Sequence, residues 1–340
     1  MKFLLYIFAI ISMIACKETG QVIETETNDF TLVFASCSHQ DMEQPLWKPI
    51  SATNPDLFIW GGDNVYTDTD DLNKMKADYQ KVWSNPDYAQ LASKTTIIGT
   101  WDDHDYGKND AGVEWGIKKG AQQVFLDFLK VSENDPRRNR EGVYTSENFT
   151  TKKGTIKVIL LDTRYFRDSL QKSNREGVRY DPWEKGEGGS VLGEAQWKWL
   201  KNELTDKKPD FTVIVSSIQF LADEHNWEKW GNFPDEVAKL HRAINNAVSK
   251  NIFILSGDRH LAEFSVSNTK ELSYPLIDFT TSGMTKVYPN TPEDSNRYRV
   301  GHQVKQLNFG VIKFDFKNKK VTMEIRGEEN KLYDRLVQKY

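Results

Sequence analysis

Cysteine is almost missing from this 340-residue chain, which holds only Cys16 and Cys37. One of the two sits in an apolar leader, so no disulfide framework can form inside the folded part. The core must be held by burial alone, and a chain of this length can do that without staples. An excess of positive charge is missing as well. The 45 basic residues face 49 acidic ones, a formal net charge of −4, and a dedicated nucleic-acid binder would be expected to show a basic patch or stripe. There is no internal repeat and no low-complexity linker, so one domain is the simplest account. Aromatic residues, in contrast, are plentiful at 12%, with ten tryptophans, enough to shape a lined cleft as well as a core.

The long apolar run is confined to residues 1–16, MKFLLYIFAIISMIAC. It is too short to span a bilayer as a helix, and its charged start and apolar middle read as a signal peptide. The ending Met13-Ile14-Ala15-Cys16 resembles a bacterial lipobox, in which the cysteine is lipidated and becomes the new N-terminus. The alternative is an ordinary cleaved signal whose cysteine is accidental. Residues 17–29 are polar and read as a tether, which leaves residues 30–340 as the folded domain. The expected location is outside the cytoplasm, lipid-anchored through Cys16 to a bacterial membrane on its periplasmic or cell-surface side.

Within 30–340, apolar runs of strand length recur: TLVFAS, LFIW, TTIIG, IKVILLD, FTVIVSS and NIFILSG. Helix-like stretches such as DLNKMKADYQKVW and PDEVAKLHRAINNAVSK lie between them. Continuous β-branched runs alternating with helices predict an α/β fold whose strands are buried on both faces. After residue 260 the pattern turns to strands with little helix, expected to be antiparallel and to extend a second sheet.

In open α/β sheets, ligands sit beyond the carboxyl ends of the strands. The residues placed there are Cys37; Asp63 and Tyr66; Asp102, Asp103, His104, Asp105 and Asn109; Asp162 and Arg164; Gln219; and Asp258, Arg259 and His260. Each piece alone has a plain structural reading: a Gly-Gly-Asp is often a turn or a helix cap. Together they would crowd carboxylates, imidazoles and amides that repel and are costly to desolvate without cations. Oxygen and nitrogen donors of this kind suit a hard or borderline metal, and two ions sharing one bridging carboxylate is the natural arrangement.

The blocks SCSH, GGDNVY, WDDHDYGKND, LDTRYFR and SGDRH, in this order, resemble the PhoD-type alkaline phosphatases and phosphodiesterases of the calcineurin-like metallophosphoesterase superfamily. The resemblance implies a four-layer α/β/β/α sandwich of two mixed sheets flanked by helices. It also implies a two- or three-metal centre with Fe3+ and Ca2+. By the same resemblance Cys37 is an iron ligand, Asp63 the bridging carboxylate and Tyr66 a phenolate ligand. Asp258 and His260 complete the site, while Asp103 and Asn109 serve the calcium-like ion. No ligand role carries over to His39.

The expected reaction is hydrolysis of a phosphate ester, with a metal-activated hydroxide attacking phosphorus in line. Arg164 is the first choice for clamping the phosphate, since a bidentate guanidinium suits it. Arg259, flanked by two ligands, is expected to turn to the opposite side. His104 is the candidate acid for the leaving oxygen, or else an orienter of neighbouring carboxylates. In the stretch 216–236, His225 stands several residues from where the superfamily often places another ligand. Trp227, Trp230 and Phe233 are expected to cover the site or pack rather than stack on a substrate. The competing reading is a non-catalytic lipoprotein that binds phosphorylated ligands through the same centre.

Overall fold

The computed structural model describes residues 28–206 and 209–340. The leader, Cys16 and most of the tether therefore lie outside the described residues. Among those described, no helix is long and apolar enough to cross a membrane.

The chain forms β1 (Phe30–Ala35), β2 (Leu57–Gly61), β3 (Thr96–Thr100), β4 (Thr145–Thr150), β5 (Thr155–Leu160) and the short β6 (Gln171–Lys172) and β7 (Tyr180–Asp181). It continues with β8 (Phe211–Ser216), β9 (Ile252–Ser256), β10 (Ala262–Ser267), β11 (Leu276–Thr281), β12 (Arg299–Val304), β13 (Phe309–Asp315), β14 (Lys320–Arg326) and β15 (Leu332–Lys339). One sheet runs β15-β14-β13-β1-β2-β3 and the other β12-β10-β11-β9-β8-β5-β4. In the first, β1, β2 and β3 are parallel. In the second, β5, β8, β9 and β11 are parallel. Antiparallel strands flank both parallel blocks.

Side-chain alternation explains the continuous apolar runs. Leu32 and Phe34 of β1 face the second sheet, in a core with Val213, Val215, Phe253 and Leu255. Their neighbours Val33 and Ala35 point the other way, into a core with Trp47, Tyr79 and Phe125 on the helical side. The second sheet repeats this: Ile214 and Ile254 pack outward against Trp197, Leu200 and Leu240. Each central strand thus has two dry faces, and helices close both outer ones. This is the expected four-layer sandwich.

Two expectations need correction. The C-terminal strands do not all join the second sheet. β10 and β12 do, but β13, β14 and β15 pair onto β1 and extend the first. Nor are they all antiparallel, because β11 runs parallel to β9. Local periodicity cannot tell one sheet from another, since both present the same apolar inner face.

Candidate metal centre

The parallel strands of both sheets deliver their carboxyl ends to one rim. The tips come together because glycine stands where they meet. Gly62, at φ +102°, would bring a Cβ within 2.7 Å of the Asp102 Cβ. A Cβ on Gly257 would lie 2.6 Å from the Ser36 hydroxyl and 3.1 Å from the Gly61 carbonyl oxygen. The glycines of GGD and SGD thus serve a close approach between sheets, beyond a local turn. Across this seam the Ser36 hydroxyl donates to the Thr281 carbonyl at 3.1 Å and the Thr281 hydroxyl to the Phe34 carbonyl at 3.1 Å.

Four donors adopt left-handed backbone just past the strands: Cys37, Asp63, Asp258 and His260, with φ of 60°, 50°, 70° and 55°. For residues with a Cβ this region costs on the order of 1–3 kcal/mol each, and such strain clusters where function over-determines the geometry.

Ligand atoms of Cys37, Asp63 and His260 lie within 4.8 Å of one another, and so do those of Asp63, Asp103 and His104. Asp63 belongs to both groups, the position of a bridging carboxylate. The Tyr66 hydroxyl donates to Asp63 Oδ2 at 3.1 Å and stands 3.4 Å from His260 Nε2. The Cys37 thiol is 3.6 Å from the same carboxylate oxygen. Asp258 lines the same cleft, which encloses about 910 Å³. Asn109 also lines it, at an exposed turn.

Burial, aggravated by Asp103, pushes the Asp63 carboxyl well above the usual carboxylate range, although His104 opposes the shift. Burial together with Asp102 does the same for Asp258. Burial and then Asp63 raise both the Cys37 thiol and the Tyr66 phenol. Four acidic groups sharing one pocket, all resisting ionisation, fit a cation as counter-charge. His260, lowered to about 4 mainly by burial, offers the neutral imidazole a metal requires, and its Nδ1 is 3.0 Å from the Lys286 carbonyl oxygen, a contact that orients the ring. The donor set fits metal ions.

His104 sits in a one-turn helix, Asp103–Tyr106, closed by a reciprocal capping box between Asp102 and Asp105. Its Nδ1 is 2.8 Å from Asp68. Burial would lower its pKa, but Asp63, Asp68 and Asp103 together push it up to about 11. Sequence reasoning passed over Asp68. Nothing local separates it from Asp70 or Asp71, and only the fold carries its carboxylate to His104.

Arg164 is not the phosphate clamp. It is fully buried, paired with Asp102 and, at 2.7 Å, with Glu228. Its guanidinium lies beneath the cleft among carboxylates that hold it there. Arg259 is the opposite correction, since it lines the cleft and is anchored on Asp294 at 2.7 Å. The left-handed turns at Asp258 and His260 undo the strand alternation that would have turned it away. Asp162 and Gln219 are structural: Asp162 accepts from Trp101 and three backbone N–H groups, and Gln219 donates to Glu263 and Thr280. Asp105 accepts from the Asn64 side chain and the Asp102 backbone. His225 is buried away from the cleft lining. His39 is in the cleft wall, its ring parallel to Tyr66 at 5.1 Å.

Two packed mixed sheets with helices outside and metal donors at their shared strand tips define a metallophosphoesterase-type sandwich. The sequence matches the profile of the PhoD-like phosphatase family over residues 32–325, and the chain belongs to that family. No curated protein matches it by sequence search. Among solved structures, a structure of PhoD is similar at TM-score 0.72 and 16% identity, covering 92% of this chain and 70% of that one. A dimetal phosphatase from Danio rerio gives TM-score 0.58 at 13% identity, over 92% of this chain and 100% of the other. GAP50, described as the anchor in the inner membrane complex of Plasmodium, gives 0.59 at 13% identity, over 92% and 89%. The chain is a metal-dependent phosphoric ester hydrolase by family.

Proposed function

We propose that the chain is an exported, lipid-anchored phosphodiesterase or alkaline phosphatase working with iron and calcium. The observation that carries the catalytic reading is Asp63, shared by two donor groups at the floor of one cleft. Cys37, Asp63, Tyr66 and His260 would hold Fe3+, the ion charged enough to keep a thiolate and a phenolate together near neutral pH. Asp103, Asn109 and Asp258 offer the oxygen donors that suit Ca2+. When bound, the ions supply the Lewis acidity that polarises the phosphate oxygens and makes water nucleophilic near neutral pH.

The chain's own part is to place a proton. His104 donates Nδ1–H to Asp68, whose negative charge favours the imidazolium, so Nε2–H is the donor for the departing alkoxide. The test is elemental analysis of the purified protein with rates on alkyl and p-nitrophenyl phosphate esters. About one iron and at least one calcium per chain are expected, with a colour from thiolate and phenolate on iron. His104→Gln should slow an alkyl ester by about 100-fold or more and a p-nitrophenyl ester far less, because nitrophenolate leaves unaided. Equal losses on both would remove His104 as the acid, and a colourless zinc-only enzyme would reject the iron assignment. For the anchor, the support is the lipobox-like ending at Cys16. Cys16→Ser should move the protein from the membrane fraction to the soluble one, and unchanged fractionation would refute the anchor.

A further inference from the structure

The aromatics of 216–236 are expected to cover the site or to pack, and two of the three pack: Trp230 and Phe233 are fully buried. Trp227 is not. It is 45% exposed and lines the cleft, although His225, Glu228 and Lys229 around it are buried. His225 Nδ1 accepts the Trp227 N–H at 3.2 Å. The Lys229 ammonium donates to the Trp227 carbonyl at 3.1 Å, and Glu228 is locked between Arg164 and Arg167. The preceding Asn226 carbonyl accepts the Arg179 N–H at 3.1 Å. The backbone around this indole is therefore rigid, and its exposure is built rather than loose. Two guanidiniums lie near the ring, Arg259 at 5.4 Å and Arg179 at 5.8 Å from its centroid. Both are themselves anchored, on Asp294 and Asp110, so the wall is a preorganised flat apolar surface with planar cations beside it.

Resting on the phosphoesterase reading above, we propose that Trp227, edged by Arg179 and Arg259, is a subsite for the non-leaving arm of a phosphodiester, and that this arm carries a flat unsaturated ring, as a nucleoside does. An exposed indole recognises a ring by its face, and a guanidinium adds a second planar surface. His104 is paired with Asp68 and packs on Tyr66, whereas the groups beside the indole are Arg179 and Arg259. The leaving oxygen therefore departs on the His104 side, and the arm that stays with phosphorus extends toward Arg259 and the indole.

The test compares two diesters with the same leaving group on the metal-loaded protein: thymidine 5′-(p-nitrophenyl phosphate) and methyl p-nitrophenyl phosphate. The wild type should favour the thymidine ester in kcat/KM by about tenfold, the scale of one base stacked on an aromatic side chain. Trp227→Leu should bring that ratio close to one, and Trp227→Phe should keep most of it. In equilibrium dialysis, thymidine 5′-(methyl phosphate) should bind the wild type about tenfold more tightly than Trp227→Leu. Equal kcat/KM for the two esters, a preference that survives Trp227→Leu, or equal affinities in dialysis overturns the subsite alone. Release of nitrophenolate from neither ester strikes the phosphodiesterase half of that reading, and the dialysis then decides the subsite by itself.

Discussion

Two clusters of buried charge lie side by side beneath the cleft, and they are built in opposite ways. In the first, Arg164 and Arg167 clasp Asp102 and Glu228, two cations against two anions, with Arg164 and Asp102 wholly buried. Asp110 and Glu228, which lie close to Asp103, belong to this answered charge as well, because Arg179 and Tyr180 hold Asp110 and the arginines hold Glu228. In the second, Cys37, Asp63, Tyr66 and Asp258 crowd together with no cationic side chain paired to them in the same way. The backbones of Cys37, Asp63 and Asp258 are left-handed, and the ionisation of all four groups is suppressed. Where the chain needs architecture it supplies both signs of charge. Where it needs a ligand it supplies one and leaves the other to the ligand.

The sharpest way to break this comparison is to remove a partner from the answered cluster. Arg164→Met leaves Asp102 and Glu228 buried without their cation and should lower unfolding stability by about 3–5 kcal/mol in urea, with or without metal. A small loss would mean that the arginine is replaceable, as a solvent-facing phosphate clamp would be. The converse change is Asp63→Asn. It removes a charge that the metal-free fold struggles to hold, so stability of the metal-free chain should change by about 1 kcal/mol or less. Metal affinity should fall by about 100-fold or more, the upper end for loss of a mere supporting group. Retained metal together with a destabilised fold would make Asp63 a structural acid.

The smallest effect sharpens the contrast through pH. Burial, the main cause in each case, pushes Asp105 up to about 8 and Asp102 up to about 6, while neighbouring carboxylates hold His104 at about 11 against burial. Unfolded carboxyls titrate near about 4 and unfolded histidine near about 6.5. Asp102, Asp105 and His104, together with Asp63 and Asp258, therefore bind protons more tightly in the native metal-free chain than in the unfolded one across this interval. They outnumber His260 and Lys229, which burial lowers to about 4 and about 8. The stability of the metal-free chain is greatest at the acid end and is lost as pH rises through the native values. Between pH ~6 and ~8.5 the melting temperature of the metal-free protein should fall by about 2 °C or more, and calcium with iron should restore it. A melting temperature that rises over that range would contradict the protonated state assigned to these acids.

Much of this was legible in the chain. The six runs read as strands at TLVFAS through NIFILSG all form β1, β2, β3, β5, β8 and β9, because a strand buried on both faces needs an unbroken apolar run and little else imitates it. The donors following those runs were legible for the same reason, and Cys37, Asp63, Tyr66, Asp103, His104 and His260 do converge. What could not be read was partnership across the fold. Arg164 and Arg259 each follow a strand and look alike in sequence, yet one is sealed among carboxylates and the other lines the cleft. Asp68 carried no local mark, since its role depends on a neighbour 36 residues away, and nothing local separated the exposed Trp227 from the buried Trp230.

The sequence by itself determined the layers, the strand tips and the kinds of atom placed on them, because alternation of apolar and polar side chains is a local property. Only the tertiary structure decided which charges are answered inside the chain and which are left for a ligand. Charge balance depends on distances through space, and those exist only once the two sheets have closed at Gly62 and Gly257.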